Sequence, residues 1–331
     1  MTWQHLGAAK RYEDMKPVEI ILEVTNYCNL RCRYCHIHGK GAGFSRPKGY
    51  MAPELWKDIL RELSQWTEPV NLVTHGAGEP LLYPRLKELL LEAKKLPHLT
   101  VGFMTNGMLL SPEMSRFLVE NQIDWLAFSI DGVRPETHDS VRLGASLRLI
   151  EQNVEYLAAY KARCGVTKPR LNFNMVLYPH IRDQKDAFLK RWLPCAQCIF
   201  FSRFRPMGSK RLWDQMSPPV AFRPCHLLFT QAVVSWQGRL ALCCEDIETE
   251  ISPGDISNQS LSRIFESSPV LKLYREKHRS GDTGTLKLCK DCHVWAASIC
   301  LEERTYIENR HRIHYRKTPA AETYEIEKNH D

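Results

Sequence analysis

Val18-Glu19-Ile20-Ile21-Leu22-Glu23-Val24 runs directly into Thr25-Asn26-Tyr27-Cys28-Asn29-Leu30-Arg31-Cys32-Arg33-Tyr34-Cys35. The first stretch is a short apolar, β-branched run of the kind that forms a buried strand. The second is a loop that delivers three cysteines, spaced four and three apart, beyond that strand's C-terminal end. In a parallel α/β fold this end of the sheet is where chemistry is built. Thiolates are soft ligands that select iron–sulfur clusters or zinc. On a four-iron cluster, three protein thiolates leave one iron open.

Outward from this stretch, strand and helix patterns alternate. Strands are expected at Val70–Thr74, Leu99–Thr105, Trp125–Ile130, Leu171–Leu177 and Ile199–Arg203. Helices are expected at Pro53–Trp66, Arg85–Lys95, Pro112–Asn121, Leu147–Lys161 and Asp183–Trp192. The first of these opens on proline and sets Leu55, Ile59, Leu60 and Leu63 on one face. Apolar strands between amphipathic helices predict an α/β fold with a parallel sheet. Six such units are fewer than the eight of a closed barrel, so residues 18–206 are expected to form a partial (β/α)6 TIM-like barrel after an N-terminal extension, 1–17.

Beyond this the rhythm changes. Ser217-Pro218-Pro219 is a break, and Thr230–Trp236 and Arg239–Cys243 read as strands around a Gln237-Gly238 turn. Leu261–Lys277 and Val294–Asn309 read as helical, giving a small β-hairpin-plus-helix domain over 207–310. The polar tail, 311–331, is expected to fray.

The chain of 331 residues is 44% hydrophobic and 25% charged, an ordinary globular balance. Its net charge of +7 is not gathered into a basic stripe, so nucleic acid is not an expected partner. Neither a secretory signal nor a membrane span is visible, which predicts a cytoplasmic location. There the twelve cysteines are read as metal ligands or catalytic groups before disulfides.

Cys28, Cys32 and Cys35, with Tyr34 before the third, resemble the signature of the radical S-adenosylmethionine (SAM) superfamily. Further short motifs stand at successive strand ends. Gly76-Ala77-Gly78-Glu79-Pro80 resembles that family's Gly-Gly-Glu-Pro motif, with Ala77 in place of a glycine. Thr105-Asn106-Gly107 and Ser129-Ile130-Asp131-Gly132 end strands three and four, and His138-Asp139-Ser140-Val141-Arg142 follows. The resemblance implies a [4Fe-4S] cluster held by the three cysteines, with SAM on the open iron. It implies SAM contacts from Tyr34, Gly76, Ala77, Gly78, Glu79, Ser129 and Arg142. An arginine suits a carboxylate as a two-pronged partner. Reductive cleavage of SAM to a 5′-deoxyadenosyl radical, fed by a flavodoxin- or ferredoxin-type reductant, is the implied chemistry. A zinc site is the competing reading of the three cysteines alone.

Cys225, Gly238 and Cys243, with the tight pair Cys289 and Cys292, resemble the auxiliary-cluster domain called SPASM in its shortened "twitch" form. Four thiolates suffice for one auxiliary [4Fe-4S] cluster or for a zinc ion. The full SPASM pattern continues with a cysteine where this chain has Ser298, and Cys300 lies two residues later. The ligand spacing is similar to that of the butirosin-pathway deoxy-scyllo-inosamine dehydrogenase type, which oxidises a cyclitol alcohol. Cys244 neighbours Cys243, but adjacent strand residues face opposite ways.

Cys164 and the Cys195–Cys198 pair are read as buried small residues rather than ligands. His36 and His38 follow the first cluster, and Arg203 and Arg205 stand at strand six. His75, Asp131 and Asn174, near strand ends, are the candidate catalytic residues. The expected function is a radical SAM oxidoreductase acting on a small sugar- or cyclitol-like molecule, its auxiliary cluster accepting an electron. Only 17 residues precede the first strand, which tilts the reading from a peptide substrate. Maturation of a ribosomally made peptide is the alternative. A non-catalytic iron–sulfur electron carrier is the alternative of another class.

Overall fold

The structure is a computed structural model that describes residues 16–204, 221–292 and 294–328. The described chain divides into two compact units. One holds the residues up to Tyr27, Arg46–Gly102 and Phe222–Lys290; the other holds Cys28–Ser45, Phe103 to Ala221, and the chain from Asp291.

In the first unit, β1 (Glu19–Leu22) pairs in parallel with β2 (Val70–Val73), and β2 with β3 (Leu99–Thr105). Helix α1 (Pro53–Leu63) buries Trp56, Ile59, Leu60 and Leu63, and α2 (Leu86–Lys94) buries Leu86, Leu89, Leu90 and Ala93. Trp56 donates its indole N–H to Tyr83, whose hydroxyl donates to the Met51 carbonyl, so these buried polar atoms are satisfied. After the second cysteine group begins, the short helix α7 (Leu227–Thr230) leads into β7 (Gln231–Val234) and β8 (Leu240–Ala241). These form the expected antiparallel hairpin, with Gly238 at φ 88° in its turn. The sequence did not predict that β7 also pairs in parallel with β1, Glu19 opposite Gln231 and Leu22 opposite Val234. Gln231 and Asn71 both donate to the Glu19 carboxylate and fix that register. The expected helix 261–277 is two helices, α8 (Leu261–Ser267) and α9 (Pro269–Ser280). Pro269 has no N–H to continue the first, so the chain turns at Ser268 and starts again.

In the second unit, β4 (Trp125–Ser129), β5 (Arg170–Leu177) and β6 (Cys198–Arg203) run parallel. Around them lie α3 (Pro112–Glu120), α4 (Pro135–Val141), α5 (Leu147–Arg163) and α6 (Lys185–Trp192). Phe173 stacks on Phe128 and on Trp192, at 5.4 and 4.5 Å between ring centres, and builds the core under α6. Six parallel strands, β1 to β6, alternating with helices are the partial TIM-like α/β fold expected from the sequence.

Two expectations for the C-terminus fail. Residues 294–309 are not a helix: a 3-10 turn, Val294–Ser298, gives way to β9 (Glu302–Glu308). The tail is not frayed: β10 (His311–Lys317) and β11 (Ala321–Lys328) continue an antiparallel meander that adds to β6. The reason is period-two patterning. Ile313 and Tyr315 on β10 and Tyr324 and Ile326 on β11 are buried, with charged residues between them. Asn309 and Arg310, both at positive φ (49° and 65°), make the two-residue turn that such a hairpin needs. Arg205, the 206/207 domain boundary, the 217–219 break and most of the N-terminal extension lie outside the described residues.

Candidate metal centres and their supporting residues

The loop bearing Cys28, Cys32 and Cys35 belongs to the second unit, and all three cysteines are half-buried. Main-chain amides point at their sulfurs: Leu30 at Cys28 (3.5 Å) and His38 at Cys35 (3.3 Å). Loop amides Arg31 and Arg33 donate to the carbonyls of Leu143 and Val141, pinning the loop beside the end of α4. Asn106 donates to the Asn29 side chain at 2.8 Å. Gly39 closes the loop so tightly that a Cβ there would stand 2.4 Å from the Cys35 carbonyl. Among the described residues no three His, Cys, Asp or Glu side chains form a single-ion site. A four-iron cluster takes each thiolate on a different iron, and a set of soft thiols with amide donors to sulfur fits that group.

Beside the loop, Arg142 donates Nε to Asp131 Oδ2 at 2.8 Å, and the Val176 amide donates to Asp131 Oδ1 at 2.8 Å. The side chain of Arg142 is 13% exposed and that of Asp131 1%. Burial opposes the Arg142 charge, but Asp131 beside it keeps the guanidinium firmly protonated. Burial pushes the Cys32 thiol up while Arg142 pulls it down. The Asp131 amide donates to His138 Nδ1 at 3.0 Å; burial, with Arg142 nearby, brings His138 down to about 3. Tyr34 stacks on Tyr178 at 4.6 Å and touches Phe204 at 5.1 Å. Ser129, at the end of β4, is buried and stands opposite Asn174 on β5; Asn174 Oδ1 accepts from the Ser202 hydroxyl at 3.3 Å.

Gly76, Ala77, Gly78 and Glu79 follow β2 in the first unit. A Cβ on Gly78 would lie 2.4 Å from the Tyr27 carbonyl, and one on Gly76 would lie 2.6 Å from Glu23 Cβ, so both positions exclude a side chain. Ala77 occupies the one motif position between them. Glu79 is buried; its amide donates to the Tyr27 carbonyl at 2.8 Å and its side chain accepts from the Leu81 amide. His75 precedes them, and burial brings it down to about 4. Two residues that the sequence reading missed meet here: Glu23 accepts from the Ala77 amide and from Arg46. Their sequence signal is slight: Glu23 is one of two carboxylates in the Val18–Val24 stretch and follows β1, and Arg46 stands in a loop.

The first unit also holds Cys225, Cys243 and Cys289, and Cys292 lies in the stretch of the second that starts at Asp291. Burial pushes Cys225 up to about 11; it pushes Cys243 well up, with Cys244 and Cys225 adding to the shift. Tyr274 sits near Cys289 and Cys243, is raised to about 12 by burial and then by these thiols, and donates to the Lys287 carbonyl. The loop after Cys243 is gathered by Asp246, which accepts from the amides of Leu242, Glu250 and Ile251. His278 accepts from the Cys225 amide, and the Val294 amide points at Cys292 sulfur (3.5 Å). Cys225 is buried and the other three are half-buried; thiols with amide donors around them fit iron–sulfur ligation. Cys244 instead donates its amide to Gln231. Cys195 and Cys198 lie at the start of β6, where burial raises both thiols, while Cys164 and Cys300 are exposed.

The sequence profile of the radical SAM superfamily matches residues 22–191, and that of the SPASM iron–sulfur cluster-binding domain matches 225–293. The chain is 31% identical over 159 residues to the tungsten-containing aldehyde ferredoxin oxidoreductase cofactor-modifying protein of Pyrococcus furiosus, covering 48% of this chain and 43% of that one. It is 28% identical over 206 residues to the mycofactocin maturase MftC of Mycobacterium ulcerans, covering 62% of this chain and 52% of that one. The chain thus spans about half the length of these curated relatives. A solved structure of BtrN with AdoMet and 2-DOIA is similar in fold, with TM-score 0.56, 20% identity, and 85% of this chain and 94% of that chain covered. No helix among the described residues is long and apolar enough to cross a membrane.

Proposed function

The chain belongs to the radical SAM superfamily and carries a SPASM domain, and from that premise we propose that it is an oxidoreductase performing a net two-electron oxidation of its substrate. When bound, the [4Fe-4S] cluster with SAM supplies a 5′-deoxyadenosyl radical that takes a hydrogen atom, and the auxiliary cluster takes the second electron. The auxiliary cysteine set carries this reading. Four protein thiolates, Cys225, Cys243, Cys289 and Cys292, leave no open iron, which suits electron transfer rather than substrate binding.

Cys28, Cys32 and Cys35 hold the catalytic cluster. Arg142, oriented by Asp131, recognises the SAM carboxylate, so Asp131 acts as a positioning residue. The glycines of 76–78 let the main chain approach closely, and Glu79 receives the SAM amino group with Ala77. Tyr34 and Ser129 bind the nucleoside part. His75, kept neutral by burial, is the candidate acceptor for the substrate proton. Asn174 accepts from the Ser202 hydroxyl, and this polar pair suits a small hydroxyl-bearing substrate. Similarity to MftC favours a second reading, oxidation of a ribosomally made peptide. A flavodoxin or ferredoxin is the proposed reductant and the cytoplasm the proposed location. Bounds of 18–206 for the barrel and 207–310 for the auxiliary domain remain our assignment.

The test is deuterium transfer into 5′-deoxyadenosine. Reduced, anaerobic enzyme receives SAM and a deuterated host extract split by ultrafiltration. Label from the metabolite fraction supports the small-molecule reading, and label from the peptide fraction selects the second. SAM cleavage that never occurs under strong reductant would leave only an electron carrier.

A further inference from the structure

Glu23 and Arg46 belong to no ligand or cofactor motif, yet their side chains are only 5% and 8% exposed. Arg46 donates Nη1 to Glu23 Oε1 at 2.8 Å and Nη2 to Oε2 at 2.6 Å. A two-pronged pair of this kind fixes direction as well as distance. Taking both charges out of water costs so much that apolar side chains would serve equally well as a plain cross-link. What distinguishes the pair is where its remaining hydrogen bonds go.

Glu23 Oε2 accepts from the Ala77 amide at 3.2 Å, inside the motif assigned to the SAM amino group. Glu23 Oε1 accepts from the Trp236 amide at 3.2 Å, in the turn of the hairpin that leads to Cys243. Arg46 Nε donates to the Ile247 carbonyl at 2.8 Å, just past Asp246 in the loop beyond Cys243. The packing leaves little slack. A Cβ on Gly76 would stand 2.6 Å from Glu23 Cβ, and one on Gly49 would stand 2.5 Å from the Trp236 ring. Trp236 also donates its indole N–H to the Pro47 carbonyl, beside Arg46. All of these residues lie in the first unit.

We propose that the Glu23–Arg46 pair is a positioning device that joins the Gly76–Glu79 loop to the Cys243-bearing hairpin as one rigid element. It rests on the functional reading above for the roles of those two segments. Glu23 and Arg46 touch neither cofactor; they act through the Ala77 and Trp236 amides and the Ile247 carbonyl.

The experiment uses holoenzyme with both clusters reconstituted anaerobically, comparing wild type with Glu23→Gln and Arg46→Lys. Amide hydrogen exchange is followed over residues 76–82, 236–251 and, as a remote control, 147–163. Binding of radiolabelled SAM is measured by equilibrium dialysis. In Glu23→Gln, exchange rises by about tenfold in both linked segments and not in the control, as expected when a buried charge loses its partner. SAM binding weakens in parallel. Arg46→Lys keeps the charge but not the two-pronged geometry; it gives the same pattern more weakly and carries the test should Glu23→Gln fail to fold. Exchange that rises in one segment alone, or in neither, overturns the coupling. Wild-type enzyme that binds no SAM overturns the functional reading instead, while the exchange data still decide whether the two segments are joined.

Discussion

The loop at residues 28–35 and the region from Cys225 to Lys328 both present thiols, but they are built on different plans. The first sets three half-buried cysteines on one short loop, with a guanidinium, Arg142, beside Cys32. The second spreads four cysteines over three separated stretches of sequence, Cys225 buried and the others half-buried, and brings amide networks to the Cys225 and Cys243 segments. Three thiols with a nearby guanidinium suit a cluster whose fourth iron takes a cofactor that bears a carboxylate. Four protein thiolates, with no iron left open, suit a cluster that only carries charge.

The largest effect that could break this contrast is in the first loop. Cys32→Ala should abolish 5′-deoxyadenosine formation while the protein keeps the iron and sulfide of the auxiliary cluster. Chromatography of the products and iron analysis check it together. Cleavage that persisted would mean the loop is not the radical-forming site.

Next in size is the auxiliary set. Cys243→Ala should cut substrate turnover by more than the roughly 10–100-fold that loss of an outer partner costs a metal site, yet leave uncoupled SAM cleavage in place. Cys244→Ala should leave both turnover and SAM cleavage in place, because its amide bond to Gln231 survives the substitution. Spectra of the reduced clusters in the two variants separate them. Equal loss in both would dissolve the distinction drawn between the neighbours.

A third test concerns how the first loop is supported. His138 is fully buried and brought down to about 3, whereas in the unfolded chain it titrates near 6.5. Above about pH 6.5 neither state takes up a proton and stability is unaffected. As pH falls from 6.5 towards 3 the unfolded chain alone binds the proton, so stability drops. From pH 7 to pH 5 this one histidine should account for roughly 2 kcal/mol. His75 and His226, both brought down to about 4 by burial, add in the same direction. His138→Asn keeps an acceptor for the Asp131 amide and removes the titration. Its urea midpoint should therefore fall less between pH 7 and pH 5 than that of wild type. An identical fall in both proteins would assign the acid sensitivity elsewhere.

The same contrast explains what could be read from sequence. The first loop is contiguous, so Cys28, Cys32, Cys35 and Tyr34 are visible as spacing, and each later motif sits at the end of an apolar run. Cys225, Cys243, Cys289 and Cys292 were also legible, because a hairpin turn and a tight pair frame them. Glu23 and Arg46 were not. A buried ion pair between residues 23 apart in sequence leaves no periodicity, and Glu23, just past β1, looks no different from its neighbour Glu19. The meander was lost for another reason. Its strands alternate charged with apolar residues, and charge content alone suggested solvent, although Ile313, Tyr315, Tyr324 and Ile326 recur every second residue. The split between α8 and α9 is legible in Pro269, which has no N–H to continue a helix.

The smallest prediction tests the turn that makes that meander possible. Asn309 and Arg310 both adopt positive φ, 49° and 65°. Asparagine tolerates the left-handed region, but an arginine there carries a steric cost of about 1–2 kcal/mol. Arg310→Gly removes that cost and also gives the unfolded chain more freedom, which takes back about 0.4–1 kcal/mol. The difference is a net gain of roughly 0.5 kcal/mol, read as slower amide exchange across the β9–β10 pairing. Asn309→Gly recovers less strain for the same entropy and should gain nothing. If both glycines slow exchange equally, residue-specific strain at Arg310 is not what limits the hairpin. If neither does, the cross-strand pairs from Glu302–Lys317 to Glu308–His311 hold it without help from the turn.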